Sequence, residues 1–451
     1  TTAATTTAAL STAIAAAAIQ SGGLGSTSGA SAPVAIVAPQ KPLRWLRGDL
    51  HVHTDHSDGT DTVAQILEIA RYKSLDFIFL SDHDTLSQVN DPDFVSTPDL
   101  TVLPACEWTE VNHGGVLAPK TVPPHYDRSL PAATWPAQTE AIIAKVHAEG
   151  GAFVVNHPAD RVRLWPWIPA SADAMEIWNH YWTVGPVPSD PYSLAKFMRE
   201  KGALRGGLLP SVDVIRALSK VGPGNHQALV LWELQLERGR KIAAVGGSDR
   251  HMALPPGHPT TWVLARENTR EGIVEAIRKG RTMISDGPDG AHVTFDADSD
   301  GDGSYETIIG DTLKVGLKVK LRIRVQNANK GIVRIVRRRQ IILEQKLDND
   351  DTTLTYDITT QAGDWIRVDV HQKIDFRRLR SLNALKLIRQ RLPFKYSTLG
   401  KVVATLFGDP MPINANTPPI DVVEAQRRFL NLDIKKLGYS RAVITSPIYA
   451  R

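Results

Sequence analysis

Short apolar runs that end, one after another, on histidine, aspartate, glutamate or asparagine are the feature that most narrows what this chain can fold into. The run Leu43–Leu50 leads into His51-Val52-His53, with Asp58-Gly59 five residues further on. Phe77-Ile78-Phe79-Leu80 leads into Ser81-Asp82-His83-Asp84, and Val102-Leu103 into Glu107, with His113 six residues beyond it. Phe153-Val154-Val155 is followed by Asn156-His157-Pro158, Ala174–Ile177 by Asn179-His180, and Ile242–Val245 by Ser248-Asp249-Arg250-His251. A β/α fold explains this repetition, because parallel strands end on one rim and gather there whatever follows them. His51 and His53 are spaced i and i+2, which puts them on one face of an extended segment. Asp58 lies across a turn closed by Gly59.

The stretches between these runs read as helices. Val63–Lys73 is amphipathic and carries a capping box at Thr62 and Gln65. Thr139–Glu149 ends at Gly150-Gly151, Leu229–Arg240 forms another helix, and Asn268 with Glu271 caps one that runs to about Lys279. Beyond Ala291 the pattern changes to β-branched runs separated by turns: Val315–Val325, Ile332–Val336, Ile341–Leu347, Thr353–Ile358 and Trp365–Val370. Ala442–Tyr449 reads as a final strand. The expected fold is therefore α/β, a β/α barrel over 41–290 followed by a small all-β, sandwich-like domain over 291–375. Residues 376–451 are expected to be a basic irregular segment, with a helix-like Leu382–Arg389, ending in the terminal strand. Residues 1–40 form a low-complexity Ala/Thr/Ser-rich arm.

Nine side chains form the expected metal-ligand set: His51, His53, Asp58, His83, Glu107, His113, His157, Asp249 and His251. A single zinc ion takes about four ligands, so two or three divalent ions sharing a carboxylate, best supplied by Glu107, are expected. Imidazole and carboxylate without thiolate suit Zn, Mn or Fe. Such a pair of ions lowers the pKa of a bridging water, and hydrolysis by the resulting bridging hydroxide follows, with His157 or His251 as proton donor to the leaving oxygen. His125 is an alternative to His113, and His180 is expected to face substrate.

The combination His51-x-His53-x4-Asp58-Gly59, Asp82-His83, Glu107, Asn156-His157-Pro158 and Asp249-x-His251 resembles the successive motifs of the PHP (polymerase and histidinol phosphatase) superfamily. Within it, Gly48–Thr54, Pro256-Gly257 with Thr261-Trp262, Gly280-Arg281 and Ser285-Asp286-Gly287-Pro288 resemble the carbaryl-hydrolase-like CehA/McbA subfamily. The resemblance implies a distorted seven-stranded barrel, a two- or three-metal site, and hydrolysis of phosphate esters or of aryl esters and carbamates. It also implies that His51, His53, Glu107 and Asp249 hold a first metal and that Asp58, His83 and His251 belong to a neighbouring site. Glu107, His113 and His157 complete the second and third. A metal-stabilised binding module without catalysis is the rival reading.

Other features are weighed against plainer accounts. Cys106, the sole cysteine, reads as a small core residue rather than a nucleophile. Trp165, Trp167, Trp178 and Trp182 form either core packing or an aromatic wall for an aryl leaving group, and Arg161, Arg163 and Arg250 are either candidates for holding phosphate bidentately or solvated loop arginines, the more usual case. His56 is an outer or surface residue of the first loop, and His147, His226, His258, His292 and His371 read as structural. Asp298, Asp300, Asp302 and Glu306 follow the spacing of a structural calcium loop or else make a plain acidic turn. A net charge of +4 without a basic block gives no sign of nucleic-acid binding. Ala13–Ile19 is too short to span a bilayer, so no membrane span is expected. The start at Thr1 and the Ala/Thr-rich arm suggest a secreted or periplasmic protein, a trimmed tag being the alternative. The expected partner is a small-molecule ester.

Overall fold

The structure is a computed structural model that describes residues 41–160, 163, 165, 167–180, 223–251, 255–373 and 439–451. The arm 1–40, Arg161, Trp182, the segment 376–418 with its helix-like Leu382–Arg389, and the His226 side chain lie outside the described residues.

Strand β1 (Arg44–Asp49) leads into the first loop, and α1 (Val63–Tyr72) follows it. The capping box is present: Thr62 Oγ1 accepts the Gln65 amide at 3.3 Å and Gln65 Oε1 accepts the Thr62 amide at 3.0 Å. Val63, Ile66, Leu67 and Ala70 form the buried stripe of α1. Next come β2 (Phe77–Leu80), β3 (Thr101–Thr109), β4 (His113–Leu117), α2 (Trp135–Ala148), β5 (Ala152–Val155) and β6 (Ala174–Asn179). Then follow α3 (Pro223–Glu237), β7 (Ala243–Gly247), β8 (Thr260–Ala265), α4 (Arg270–Arg278) and β9 (Thr282–Ser285).

Three helix starts differ from the sequence reading. Helix α2 begins at Trp135, not Thr139: Thr139 sits mid-helix with its hydroxyl bonded back to the Trp135 carbonyl at 2.9 Å. Helix α3 begins at Pro223, before the apolar run that marked it. The cap of α4 is Thr269, whose hydroxyl accepts the Gly272 amide, while Asn268 Nδ2 donates to the Asp76 carbonyl.

The all-β part comprises β10 (His292–Asp298), β11 (Thr307–Ile308), β12 (Thr312–Leu313), β13 (Lys318–Gln326), β14 (Ile332–Arg337), β15 (Gln340–Lys346), β16 (Asp351–Thr359), β17 (Asp364–Lys373), β18 (Tyr439–Thr445) and β19 (Ile448–Ala450). The expected single terminal strand is two, separated at Ser446-Pro447, because proline has no N–H to give a ladder.

The molecule is a mixed α/β fold around one large curled sheet, ordered β12-β19-β17-β18-β9-β8-β1-β2-β3-β4-β5-β6-β7, with β14 and β15 attached through β17. A second sheet of four strands, β11-β10-β13-β16, packs on the all-β end. Its apolar face, including Val293, Phe295, Leu321 and Ile323, shares a core with Val333, Val368, Val443 and Ile448. At the other end the sheet curls until β7 returns to β1: the Asp249 amide donates to the His51 carbonyl and the His53 amide to the Arg250 carbonyl, both at 2.9 Å. Thr261 of β8 adds its hydroxyl to both the amide and the carbonyl of Gly246.

Strands β1, β2 and β3 run parallel, as do β5, β6 and β7. Strand β4 is antiparallel to both neighbours. Its first residue, His113, therefore reaches the rim where the other strands end.

Candidate metal centre

That rim holds all nine expected ligands. His51 and His53 leave β1 on one face, while Val52 between them is buried in the core on the other. Nε2 of His51 lies 3.1 Å from Glu107 Oε1 and 3.2 Å from Asp249 Oδ1. Nε2 of His53 lies 3.2 Å from Glu107 Oε2 and 3.3 Å from Asp249 Oδ1. Glu107 sits inside β3 rather than beyond it, because β3 continues past its β2 pairing to pair with β4. This carboxylate is the hub: Oε1 is 3.2 Å from His113 Nδ1 and 3.0 Å from His157 Nε2, and Oε2 is 3.4 Å from His83 Nδ1. On the open side, Asp58 lies 3.2 Å from His251 Nε2 and 3.7 Å from His83 Nε2. His251 stacks on His53 with ring centroids 4.1 Å apart.

Eight of the nine fall into three groups, each with all its donor atoms within 4.8 Å of one another: His51, His53, Glu107, Asp249; His53, Asp58, His83, His251; and His83, Glu107, His113. The first is the set the family resemblance implies for one metal, and the second contains the neighbouring set. His157, expected beside Glu107 and His113, touches Glu107 but belongs to none of the three groups, and His83 stands in its place. His113, not His125, joins the cluster; His125 instead pairs with Glu110 at 3.0 Å. Two of the nine, His157 (φ 24°) and Asp249 (φ 49°), hold backbone conformations that side-chain-bearing residues rarely adopt, and such strain concentrates at working sites.

The electrostatics describe a knot of opposed charges. Burial pulls His51 down, but Glu107, Asp249 and Glu176 overcome it and hold its pKa well above the usual histidine value. His53 reaches about 9 against burial, raised by the Asp249 and Glu107 carboxylates beside its Nε2. Burial opposes ionisation of Glu107 and Asp249 too, yet the surrounding histidines hold both well below the carboxylate range. His83 is pushed down to about 4, mainly by burial. His51 Nε2, His53 Nε2, His113 Nε2 and Asp249 Oδ1 are buried without a well-formed hydrogen bond. Buried polar atoms of this kind call for a partner, and imidazole nitrogen with carboxylate oxygen is the donor set of Zn, Mn or Fe. The residues present fit divalent metal.

A ring of supports was not anticipated from the sequence. Glu176 Oε1 lies 3.1 Å from His51 Nδ1. Asn156 Nδ2 donates to Glu107 Oε1 at 2.9 Å. Asp49 accepts the amides of His51, Ser248 and Gly257, tying three segments together, and Asp82 accepts the Thr54 amide and the hydroxyls of Thr54 and Ser57. The signal for Glu176 was present as one acid inside the apolar run Ala174–Trp178.

The remaining candidates separate clearly. Cys106 is buried, and burial pushes its thiol up to about 12, which makes it a core residue rather than a nucleophile. Trp165 and Trp178 belong to the main core, and Trp165 Nε1 donates to the His113 carbonyl at 2.8 Å. Arg250 is buried and paired with Asp61, not a solvated loop arginine, and Arg163 is half-buried with its amide on Asp160. His180 is buried at the end of β6. His56 bridges Ser87 and Asp91, His147 pairs with Asp173, and His258 Nδ1 meets the Asp286 carbonyl. His292 and His371 lie in the all-β part. Asp298, Asp300 and Asp302 come together, whereas Glu306 turns to the amide and hydroxyl of Ser299. Among the described residues no helix is long and apolar enough to cross a membrane.

No protein-family model matches the chain, and no curated protein matches it. Among solved structures it is similar to a two-domain protein from Bacteroides vulgatus described as containing a predicted PHP-like metal-dependent phosphoesterase. Identity is 16%, with 76% of this chain and 95% of that one covered, at a TM-score of 0.36. It is also similar to PsfC from Pseudomonas syringae, at 16% identity over 53% of this chain and 90% of that one, with a TM-score of 0.31. Likeness at this level decides nothing about activity.

Proposed function

We propose that this chain is a PHP-type metallohydrolase whose curled sheet forms the distorted seven-stranded barrel of that superfamily, and that it cleaves a phosphate ester or an aryl ester or carbamate. The reading rests on the convergence of four buried groups, His51 and His53 after β1, Glu107 within β3 and Asp249 after β7, onto one point. Two or three divalent ions held there by members of the nine-residue set would supply Lewis acidity, polarising an ester oxygen and making water nucleophilic at neutral pH.

The chain's own groups divide the remaining work. Glu107 presents one oxygen toward His51, His113 and His157 and the other toward His53 and His83, so it can serve two subsites at once. Substrate is expected on the side of Asp58, whose side chain is 57% exposed, because the His51–Glu107 side is closed. His251 borders that side, while His157 lies behind Glu107. This supports Nε2 of His251 as the site that passes a proton to the leaving oxygen, a role in which it does not ligate metal, because Nδ1–H is already given to the Asp249 carbonyl at 2.9 Å. The burial of Trp165 and Trp178 takes them out of an aryl-binding wall, and Asp61 occupies Arg250. The domain division at about residue 290, export from the cytoplasm and a structural calcium at Asp298–Asp302 are part of the same proposal.

Release of 1-naphthol from 1-naphthyl phosphate and from 1-naphthyl N-methylcarbamate by Zn- or Mn-loaded protein tests the activity. Cleavage of either, abolished by chelation and by Asp249→Ala, is the expected result. Failure of both with metal bound would favour the inactive binding module.

A further inference from the structure

We infer that Glu176 is a positioning residue of the metal centre, fixing the tautomer of His51 and the placement of His157 and Asp249; the inference rests on the metal reading above. Glu176 is buried in β6, and the β6–β7 ladder shifts register between Glu176 and Trp178. Irregularities of this kind re-aim side chains beside active sites. Its carboxylate meets three donors. Oε1 lies 3.1 Å from His51 Nδ1, and Oε2 accepts the His157 backbone amide at 2.8 Å and Asn179 Nδ2 at 3.0 Å. A carboxylate can only accept, so His51 keeps a hydrogen on Nδ1, which leaves Nε2, on the Glu107 and Asp249 side, as the nitrogen whose lone pair a metal would take. Asn179 Nδ2 also lies 3.3 Å from Asp249 Oδ2, and its own backbone is gripped on both sides by the Asn225 amide group, at 2.9 and 2.8 Å. Three of the nine candidate ligands thus depend on one acid that is not itself among them.

The backbone makes room for this arrangement. A Cβ on Gly247 would fall 2.3 Å from Glu176 Oε1 and 2.5 Å from His51 Cβ, so any larger residue would separate the pair. Gly115 does the same for Asn156, where a Cβ would lie 2.6 Å from Oδ1, the other end of the amide that holds Glu107.

Glutamine cannot replace Glu176 in this role. With its oxygen on His51, its NH2 faces the His157 N–H and the Asn179 NH2. With the amide reversed, the NH2 forces His51 Nδ1 to accept, which places the ring hydrogen on Nε2 where the metal should bind. Partners of this kind are typically worth 10–100-fold in metal affinity.

The experiment compares Zn²⁺ dissociation constants of wild type, Glu176→Gln and Asn179→Ala, by chelator competition on metal-free protein well below each variant's melting midpoint. Expected are a Zn²⁺ affinity about 10–100-fold weaker in Glu176→Gln and a smaller loss in Asn179→Ala. A lowered apo melting midpoint with an unchanged dissociation constant would make Glu176 merely structural and overturn the inference. If Glu176→Gln does not fold, Asn179→Ala decides: wild-type affinity there overturns it. Wild type that binds neither Zn²⁺ nor Mn²⁺ would instead bring down the metal reading, and the inference with it.

Discussion

Histidine serves two opposite purposes in this chain, and the surroundings of each ring decide which. At the rim, carboxylates outnumber what any single ring can use. His292 packs edge-on to Trp45 and Trp262 instead, with centroids 5.3 and 4.8 Å away, and burial pushes its pKa down to about 4, with Arg324 adding to the shift. The folded state therefore keeps His292 neutral at a pH where the unfolded chain, titrating near 6.5, has taken up a proton. Its contribution is complete above pH 6.5 and drains away as the pH falls toward 4, by about 2 kcal/mol for this partly exposed ring. Urea unfolding of wild type and His292→Phe at pH 7 and pH 4.5 measures it: the wild type should lose more stability than the variant over that interval. Equal losses would show that the ring does not titrate differently on folding. That these side chains gather was legible from residue types, because histidine and acid directly after an apolar run are hard to place anywhere but a rim. Glu176 was not, because a lone acid inside such a run looks the same whether it braces a ligand or merely interrupts a strand.

Among the elements, the helices were legible in kind and less so in their starts, since side chains that cap a helix also bond within one. Thr139 and Asn268 carry cap chemistry but spend it on the Trp135 and Asp76 carbonyls. Thr62 does cap, and it matters where it stands: α1 starts directly after the loop that bears Asp58. Thr62→Ala should cost about 1 kcal/mol of stability, with Thr62→Ser nearly neutral, as read by chemical denaturation. No loss in Thr62→Ala would mean that water replaces the cap. Strand β4 was hidden for a different reason. His113-Gly114-Gly115 has no β-branched signature, yet Gly114 and Gly115 are there because Phe153 and Asn156 occupy the space their side chains would need.

For the molecule as a whole, the alternation of runs and helices was readable, but the union of its two parts was not, because it depends on pairing between residues far apart in sequence. Strand β18 lies between β17 and β9, and β9 passes through β8 to β1. The Ser446 hydroxyl accepts the Ala244 amide of β7 at 2.9 Å. Removing residues 439–451 should therefore damage both parts together, giving insoluble protein or a chain that melts without cooperativity. A truncated chain with a sharp melting transition and wild-type Zn²⁺ affinity would show that the first part stands alone. The same pairing sets a timetable for synthesis. Every residue of the nine-member cluster has been made by His251, but β18, the strand that flanks β9, follows much later in the chain. The nascent chain must carry its histidines and carboxylates past a cell's worth of competing ions while β9 still lacks that flanking strand, so the sheet that carries the cluster is completed only once residues 439–445 are made.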